Sequence, residues 1–114
     1  EDDQTLRHLT TRMLESAGYT VLTASDGEEA LLRMARHRNP ADLVLTDVVM
    51  PGISGSQLAT RLAVAHPGVK VLYTSGYTDD TLLRHGVLDG TAPFIGKPYT
   101  VEGLTLTVRK VLDS

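Results

Sequence analysis

A nearly unbroken apolar run in the middle of the chain limits the folds that this sequence can adopt. The run covers residues 43–46, with the letters LVLT, and lies between Asp42 and Asp47. A strand with one buried face alternates apolar and polar residues, whereas a strand covered on both faces is apolar throughout. The run has the length of a strand. It therefore predicts a buried parallel strand that ends at Asp47, with helices on both faces of its sheet.

Helix and strand signals precede this run. Residues 19–24 are rich in β-branched side chains and predict a short strand. Asp26 with Glu29 three positions later predicts the capped start of a helix that runs to residue 38. Before both, apolar residues at helical spacing predict an amphipathic first helix that stops at Gly18. These residues are Leu6, Leu9, Met13, Leu14 and Ala17.

The same alternation continues after the run. Ser54 with Gln57 predicts the capped start of a third helix, with Leu58, Leu62 and Ala65 on one face. Residues 69–75 predict a fourth strand, residues 78–90 a weaker helix interrupted by glycine, and residues 92–97 a last strand. A closing helix is marked by apolar residues at helical spacing. They are Val101, Leu104, Val108, Val111 and Leu112.

The alternation predicts an α/β fold over residues 1–114, built as one domain. Its sheet is a flavodoxin-like, doubly wound parallel sheet with strand order 2-1-3-4-5. The first recognisable element, however, is a helix that follows the acidic residues Glu1, Asp2 and Asp3 directly. We therefore expect the first strand to be truncated or unobserved. Because that strand lies in the centre of such a sheet, its loss would expose unpaired edges on both neighbours.

Composition excludes several classes of function. The net charge of -3 gives no basic surface for nucleic acid, and the absence of cysteine excludes disulfides and thiolate metal sites. No apolar run approaches the roughly 20 residues of a membrane-spanning helix. The four histidines are scattered, and their spacing does not suggest a zinc site. The sequence thus predicts a cytoplasmic domain that contacts neither nucleic acid nor membrane directly.

Polar residues fall at the predicted carboxyl ends of the strands, where ligands bind in open parallel sheets. These are the acidic group at residues 1–3, Asp47, Ser75 and Lys97. Clustered carboxylates repel one another unless a cation lies among them, and hard oxygen ligands suit Mg²⁺. A carboxylate nucleophile beside Mg²⁺ and a lysine is an arrangement that stabilises a phosphoryl group in transfer.

Each residue also has a structural interpretation. Asp47 at a strand end can be a turn former or a helix cap, and Ser75 before Gly76 can simply form a turn. The acidic residues 1–3 can be a solvated terminus, and Lys97 can be a surface lysine. Any one of these residues alone would favour the structural interpretation.

The four sets taken together resemble the response-regulator receiver family of two-component signalling. That family has an acidic pair after the first strand, an aspartate after the third, Ser or Thr after the fourth, and Lys-Pro after the fifth. Here these positions read as Glu1-Asp2, Asp47, Ser75 and Lys97-Pro98, in order across the whole chain. The resemblance implies a CheY-like fold, the flavodoxin-like class predicted above.

The resemblance implies a role for each position. Asp47 would be the phosphoacceptor, with Glu1, Asp2, Asp47 and the backbone carbonyl of Val49 as ligands of Mg²⁺. Lys97 would contact the acyl phosphate. Ser75 would hydrogen-bond a phosphoryl oxygen, and the face formed by the family's fourth helix, fifth strand and fifth helix would then rearrange. The switch position falls on Phe94, where coupling would work through packing because Phe has no hydroxyl.

The resemblance also implies partners. The donor would be a histidine kinase or a histidine phosphotransfer domain, and phosphorylation and dephosphorylation would be self-catalysed. Residues 72–77 and 97–99 are similar to receivers at the end of hybrid sensor histidine kinases, which would tether the domain to a membrane-bound sensor. A single-domain response regulator is the other parent that we consider. A homodimer through the fourth-helix face is common in the family, but nothing in the sequence selects it.

Two other functions use the same residues. A Mg²⁺-dependent phosphohydrolase that forms an aspartyl-phosphate needs a second acid near its nucleophile, and Asp47 is followed by Val48 and Val49 instead. A receiver-like binding module would keep the fold without being phosphorylated. Formation of a phosphoryl adduct at Asp47 would distinguish a phosphorylated receiver from such a binding module.

Overall fold

Parallel strands and helices alternate along the chain, as the sequence predicts. The computed structural model describes residues 3–37, 41–75 and 93–114, with Ser75 described by its backbone alone. The elements in chain order are α1 (Gln4–Ser16), α2 (Gly27–Arg36), β1 (Leu43–Asp47), α3 (Gly55–Ala65), β2 (Lys70–Ser75), β3 (Phe94–Gly96) and α4 (Val101–Leu112). The strands form a parallel sheet in the order β1-β2-β3, which are the predicted third, fourth and fifth strands. The predicted α/β class, with a parallel sheet between helices, is confirmed.

Side-chain caps fix the starts of the helices. The Asp26 carboxylate accepts a hydrogen bond from the Glu29 backbone N–H at 2.8 Å. Ser54 and Gln57 form a complete capping box, in which each side chain accepts from the other's backbone N–H. The Glu29 carboxylate does not close the corresponding box at α2, because it accepts from the Ser25 hydroxyl at 2.7 Å. This hydrogen bond lowers the pKa of Glu29.

The core lies in two layers, one on each face of the sheet. On one face, Leu72 from the central strand packs against α4. On the other face, α2 and α3 contribute Met34, Leu58 and Leu62. Leu72 and Leu62 are fully buried. Helices therefore cover both faces of β2, which explains why its central residues Val71, Leu72 and Tyr73 are hydrophobic in succession.

The predicted strand at residues 19–24 is wrong. These residues form no strand in the structure. In the predicted order 2-1-3-4-5 this segment pairs only with the first strand, and the ranges described contain no such strand beside it. Without a partner for its N–H and C=O groups, a β-branched sequence has no ladder to join. The segment is consequently irregular despite its strand-like composition.

Four of the residues predicted on apolar helix faces are exposed instead: Leu9, Ala17, Ala65 and Val101. Leu9 of α1 has 49% of its surface exposed, and Ala65 at the end of α3 is also exposed. None of the residues of α1 is fully buried. The predictions for residues 38–40 and for the helix within residues 78–90 lie outside the described residues. Among the helices that are described, none has the length and apolar character needed to cross a bilayer.

Candidate functional site

Asp47 is the last residue of β1 and is buried at the carboxyl edge of the sheet. The backbone after it is fixed on two sides. The N–H of Val48 donates to the carbonyl of Thr74 at 3.1 Å, and the carbonyl of Val48 accepts from the N–H of Gly55 at 2.9 Å. A Cβ at Gly55 would collide with the Asp47 carbonyl oxygen. Only glycine lets the start of α3 approach the strand end this closely.

Lys97 reaches Asp47 from across the sheet. Its Nζ lies 2.6 Å from Asp47 Oδ1, and the two side chains are 23% and 7% exposed respectively. Lys97 follows Gly96, which ends β3, and Gly96 pairs with Ser75. The strand register therefore brings together two side chains that are 50 residues apart in the sequence. The result is a mostly buried ion pair at the edge where the strands end.

The backbone of Ser75 ends β2, between the other two strands of the sheet. The residue before it, Thr74, is the register partner of Asp47. Ser75 is thus one position beyond Asp47 in the direction in which the strands run. This register agrees with the predicted edge position of Ser75, of which the structure describes only the backbone.

Two buried threonines border Asp47, and neither belongs to the set of strand-end residues that the sequence predicts as functional. Thr46 is 3% exposed, and its hydroxyl donates to the carbonyl of Asp47 at 3.1 Å. Thr74 is also 3% exposed, and its hydroxyl has no hydrogen-bond partner in the part of the chain that the structure describes. Threonine is common in strands, so composition alone could not distinguish these positions. The sequence signal at each position is a polar residue that directly follows the apolar residues of its strand.

The residues predicted to hold Mg²⁺ are only partly described. Glu1 and Asp2 lie outside the described residues. Asp3 caps α1, where its carboxylate accepts from the N–H of Leu6 at 3.0 Å, so it has a structural role beside the predicted pair. No group of three or more potential metal-binding side chains occurs within the described ranges. The carboxylate of Asp47 is a hard oxygen donor of the kind that Mg²⁺ prefers, and the half-buried Val49 lies two residues further along.

Phe94, the predicted switch residue, begins β3 and is partly buried. It pairs with Tyr73 of the central strand and packs against the cluster formed by Val48 and Tyr73. Val48 directly follows Asp47. Packing thus connects the Phe94 ring to the backbone beside the site, through no more than one intervening side chain.

An open apolar cavity of about 310 Å³ adjoins the ion pair. It is lined by Leu6, Leu9, Met13, Lys97, Pro98 and Tyr99. The hydroxyls of Tyr99 and Thr10 lie 2.7 Å apart, which ties α1 to the segment after β3. Lys97 thus contributes both to the cavity and to the ion pair with Asp47.

Comparison with known proteins shows what the chain is similar to. A family model described as the response regulator receiver domain matches residues 1–109. The sensor kinase CckA of Brucella abortus (strain 2308) is 37% identical over 113 residues, which are 99% of this chain and 12% of that protein. The response regulator receiver protein CpdR of the same organism is 31% identical over 112 residues, which are 98% of this chain and 92% of that protein.

Solved structures agree with these matches. The crystal structure of a receiver domain from the hybrid histidine kinase CckA superposes with a TM-score of 0.77 and 30% identity. The match covers 98% of this chain and 94% of that chain. The relatives therefore include both a small regulator that the chain nearly spans and a much longer kinase of which it spans about an eighth.

Proposed function

Because the chain belongs to the response regulator receiver domain family, we propose that its Asp47 accepts a phosphoryl group from a phosphohistidine. Receivers of two-component systems interact with histidine kinases or phosphotransfer proteins. The observation that carries the proposal is the buried Asp47 carboxylate, paired at 2.6 Å with Lys97 at the carboxyl edge of a parallel sheet. A carboxylate placed there is a suitable nucleophile, because the lysine offsets negative charge that gathers around it.

The transfer is a substitution at phosphorus. A carboxylate oxygen of Asp47 attacks the phosphorus atom in line, and the new O–P bond forms as the P–N bond to the donor imidazole breaks. The electron pair of the broken bond returns to the imidazole nitrogen. The ammonium of Lys97 stabilises negative charge on the phosphoryl oxygens. Water later hydrolyses the acyl phosphate, which regenerates the carboxylate and releases inorganic phosphate.

Receiver domains generally bind Mg²⁺. In this chain, Glu1, Asp2, Asp47 and the backbone carbonyl of Val49 would hold it. When bound, the ion would offset negative charge on the phosphoryl group and among the carboxylates. The Asp47 carboxylate at the sheet edge fits this role by its chemistry, and Asp3 is already engaged as the cap of α1.

The phosphorylated state would differ in the positions of Ser75 and Phe94. We propose that the Ser75 hydroxyl binds a phosphoryl oxygen, since its backbone is one residue beyond the register partner of Asp47. The partly buried Phe94 would follow by repacking against Tyr73. The output face would be that of the family's fourth helix, fifth strand and fifth helix, of which the last two correspond to β3 and α4.

The phosphodonor would cover the apolar cavity beside Lys97. A donor must bring its imidazole to Asp47, and the neighbouring apolar surface supplies contact area for it. The likeness to CckA supports a hybrid sensor histidine kinase as parent, and the likeness to CpdR supports a single-domain regulator. Either parent would place this domain in the cytoplasm.

Adduct formation tests the proposal. The full-length protein is incubated with Mg²⁺ and a small acyl-phosphate donor, and its intact mass is measured. We expect a gain of one phosphoryl group that hydroxylamine removes, and no gain in the Asp47→Asn variant. Beryllofluoride should raise the melting temperature of the parent protein but not that of Asp47→Asn. An unmodified parent protein, or equal modification of the variant, would contradict the proposal.

A further inference from the structure

Thr74 has a buried hydroxyl that is not used in the described structure. The residue is 3% exposed, and no atom of the described ranges forms a hydrogen bond with its Oγ1. Burial without a partner costs free energy, because the hydroxyl loses its hydrogen bonds to water. The equally buried Thr46 avoids this cost by donating to the Asp47 carbonyl. The hydroxyl of Thr74 therefore needs an explanation that packing alone does not provide.

The strand register places Thr74 beside Asp47. The two residues are Cα partners in the parallel β1–β2 pair, and the bond from the Val48 N–H to the Thr74 carbonyl holds this register. Register partners on neighbouring parallel strands have their side chains on the same face of the sheet, with the strands about 4.8 Å apart. On its other side Thr74 is paired with Ile95, whose side chain offers no hydrogen-bond acceptor. Among its two register partners, Asp47 is thus the one that carries an acceptor.

Phosphorylation of Asp47 would change which groups contact its oxygens. In the structure, Asp47 Oδ1 is paired with the ammonium of Lys97 at 2.6 Å. A phosphoryl group on Asp47 brings new, more negative oxygens that attract that ammonium. When Lys97 moves to them, the acyl oxygen that it leaves is still buried and needs another donor.

We propose that Thr74 is that donor: its hydroxyl rotates to bind the acyl oxygen of Asp47 when Lys97 moves to the phosphoryl group. Thr74 is accordingly a positioning residue for the phosphorylated state, and this inference rests on the proposed function of Asp47. It is distinct from the role of Ser75, which concerns a phosphoryl oxygen. The exchange keeps a buried oxygen of Asp47 beside a donor group in both states: the ammonium of Lys97 in the free protein and the hydroxyl of Thr74 in the phosphorylated one.

Thr74→Val tests the inference, because valine keeps the shape of threonine and removes only the hydroxyl. Beryllofluoride affinity in the presence of Mg²⁺ and the melting temperature of the free protein are measured for the full-length protein. We expect the affinity to fall about five- to tenfold, the usual net effect of one hydrogen bond. The free protein should melt at the same temperature or higher, since the hydroxyl that is lost has no hydrogen-bond partner among the described residues. Thr74→Ser should restore the affinity.

Thr46→Val is the matched control. It removes the hydroxyl that binds the Asp47 carbonyl in the free protein, so it should lower the melting temperature with and without beryllofluoride by similar amounts. Equal beryllofluoride affinity in Thr74→Val and the parent protein would overturn the role of Thr74 while leaving the proposed function of Asp47 intact. Failure of the parent protein to bind beryllofluoride would overturn both.

Discussion

Gly55→Ala is a small change that should reach Asp47 through the backbone. Gly55 is buried at the start of α3, and its N–H donates to the carbonyl of Val48 at 2.9 Å. A Cβ at this position would lie 3.1 Å from the Asp47 carbonyl carbon and from Val48 Cα, and closer still to the Asp47 oxygen. All three atoms belong to the backbone and cannot move aside as a flexible side chain would.

The expected magnitude follows from these distances. Carbon atoms pack at about 3.5–4.0 Å, so the strand end and the helix must separate by at least about 0.4 Å, and by more at the oxygen. Overpacking of this kind typically costs about 1–3 kcal/mol. The higher helix propensity of alanine offsets at most about 1 kcal/mol of this cost, and less in the first turn. The net loss should be about 1–2 kcal/mol, or roughly 4–8 °C in melting temperature for a domain of this size.

The same displacement should weaken the site. Functional groups need positioning to within about 0.5 Å, and the separation required here is comparable. We expect Gly55→Ala to lower both the melting temperature and the affinity for beryllofluoride. Gly103→Ala in α4 is the control, because the atom nearest to the added Cβ would be the Thr100 side-chain oxygen at 3.1 Å, and no backbone atom of another described element lies within 4 Å. A Gly55→Ala protein as stable as the parent and with equal affinity would refute the reasoning.

Two further changes probe charged groups. Lys97→Met removes the cation from the Asp47 carboxylate, whose side chain is 7% exposed. Because the Lys97 side chain is itself 23% exposed, we expect the free energy of unfolding to fall by about 1–3 kcal/mol in urea denaturation at neutral pH. Adding Asp47→Asn to Lys97→Met should recover part of this loss. Stability unchanged in Lys97→Met would show that solvent already screens the pair. Ser25→Ala should raise the pKa of Glu29 toward 4.5 in an NMR titration, since the Ser25 hydrogen bond lowers it. The lowered pKa contributes stability that is present above pH 4.5 and is lost as the pH falls through the folded value, so this loss should be smaller in Ser25→Ala.

Helix starts could be predicted from sequence because their causes are local. Ser54 and Gln57 are three residues apart and satisfy each other's backbone, whatever the rest of the chain does. Asp26 acts in the same way at α2. The depth of burial is not local, since it depends on what lies opposite a helix. Leu9 fits the apolar pattern of α1 and is nevertheless half exposed.

Strands depend on partners that the local sequence does not contain. Residues 19–24 and residues 70–75 both have strand-like composition, but within the described ranges only the second group has neighbours to pair with. The core strand β1 could be predicted because an apolar run on both faces implies cover on both faces. The segment at residues 19–24 could not be judged in this way, because its state depends on one specific neighbour.

The same distinction applies within the site. The strand-end positions of Asp47 and Lys97 follow from where each strand stops, so the sequence could place both at one edge of the sheet. Their 2.6 Å contact and the position of Thr74 depend on register, which is a relation between strands. A shift of one residue in the β1–β2 register would turn Thr74 to the opposite face of the sheet from Asp47. The placement of Thr74 beside Asp47 is therefore a product of strand pairing, which residue type and motif alone do not reveal.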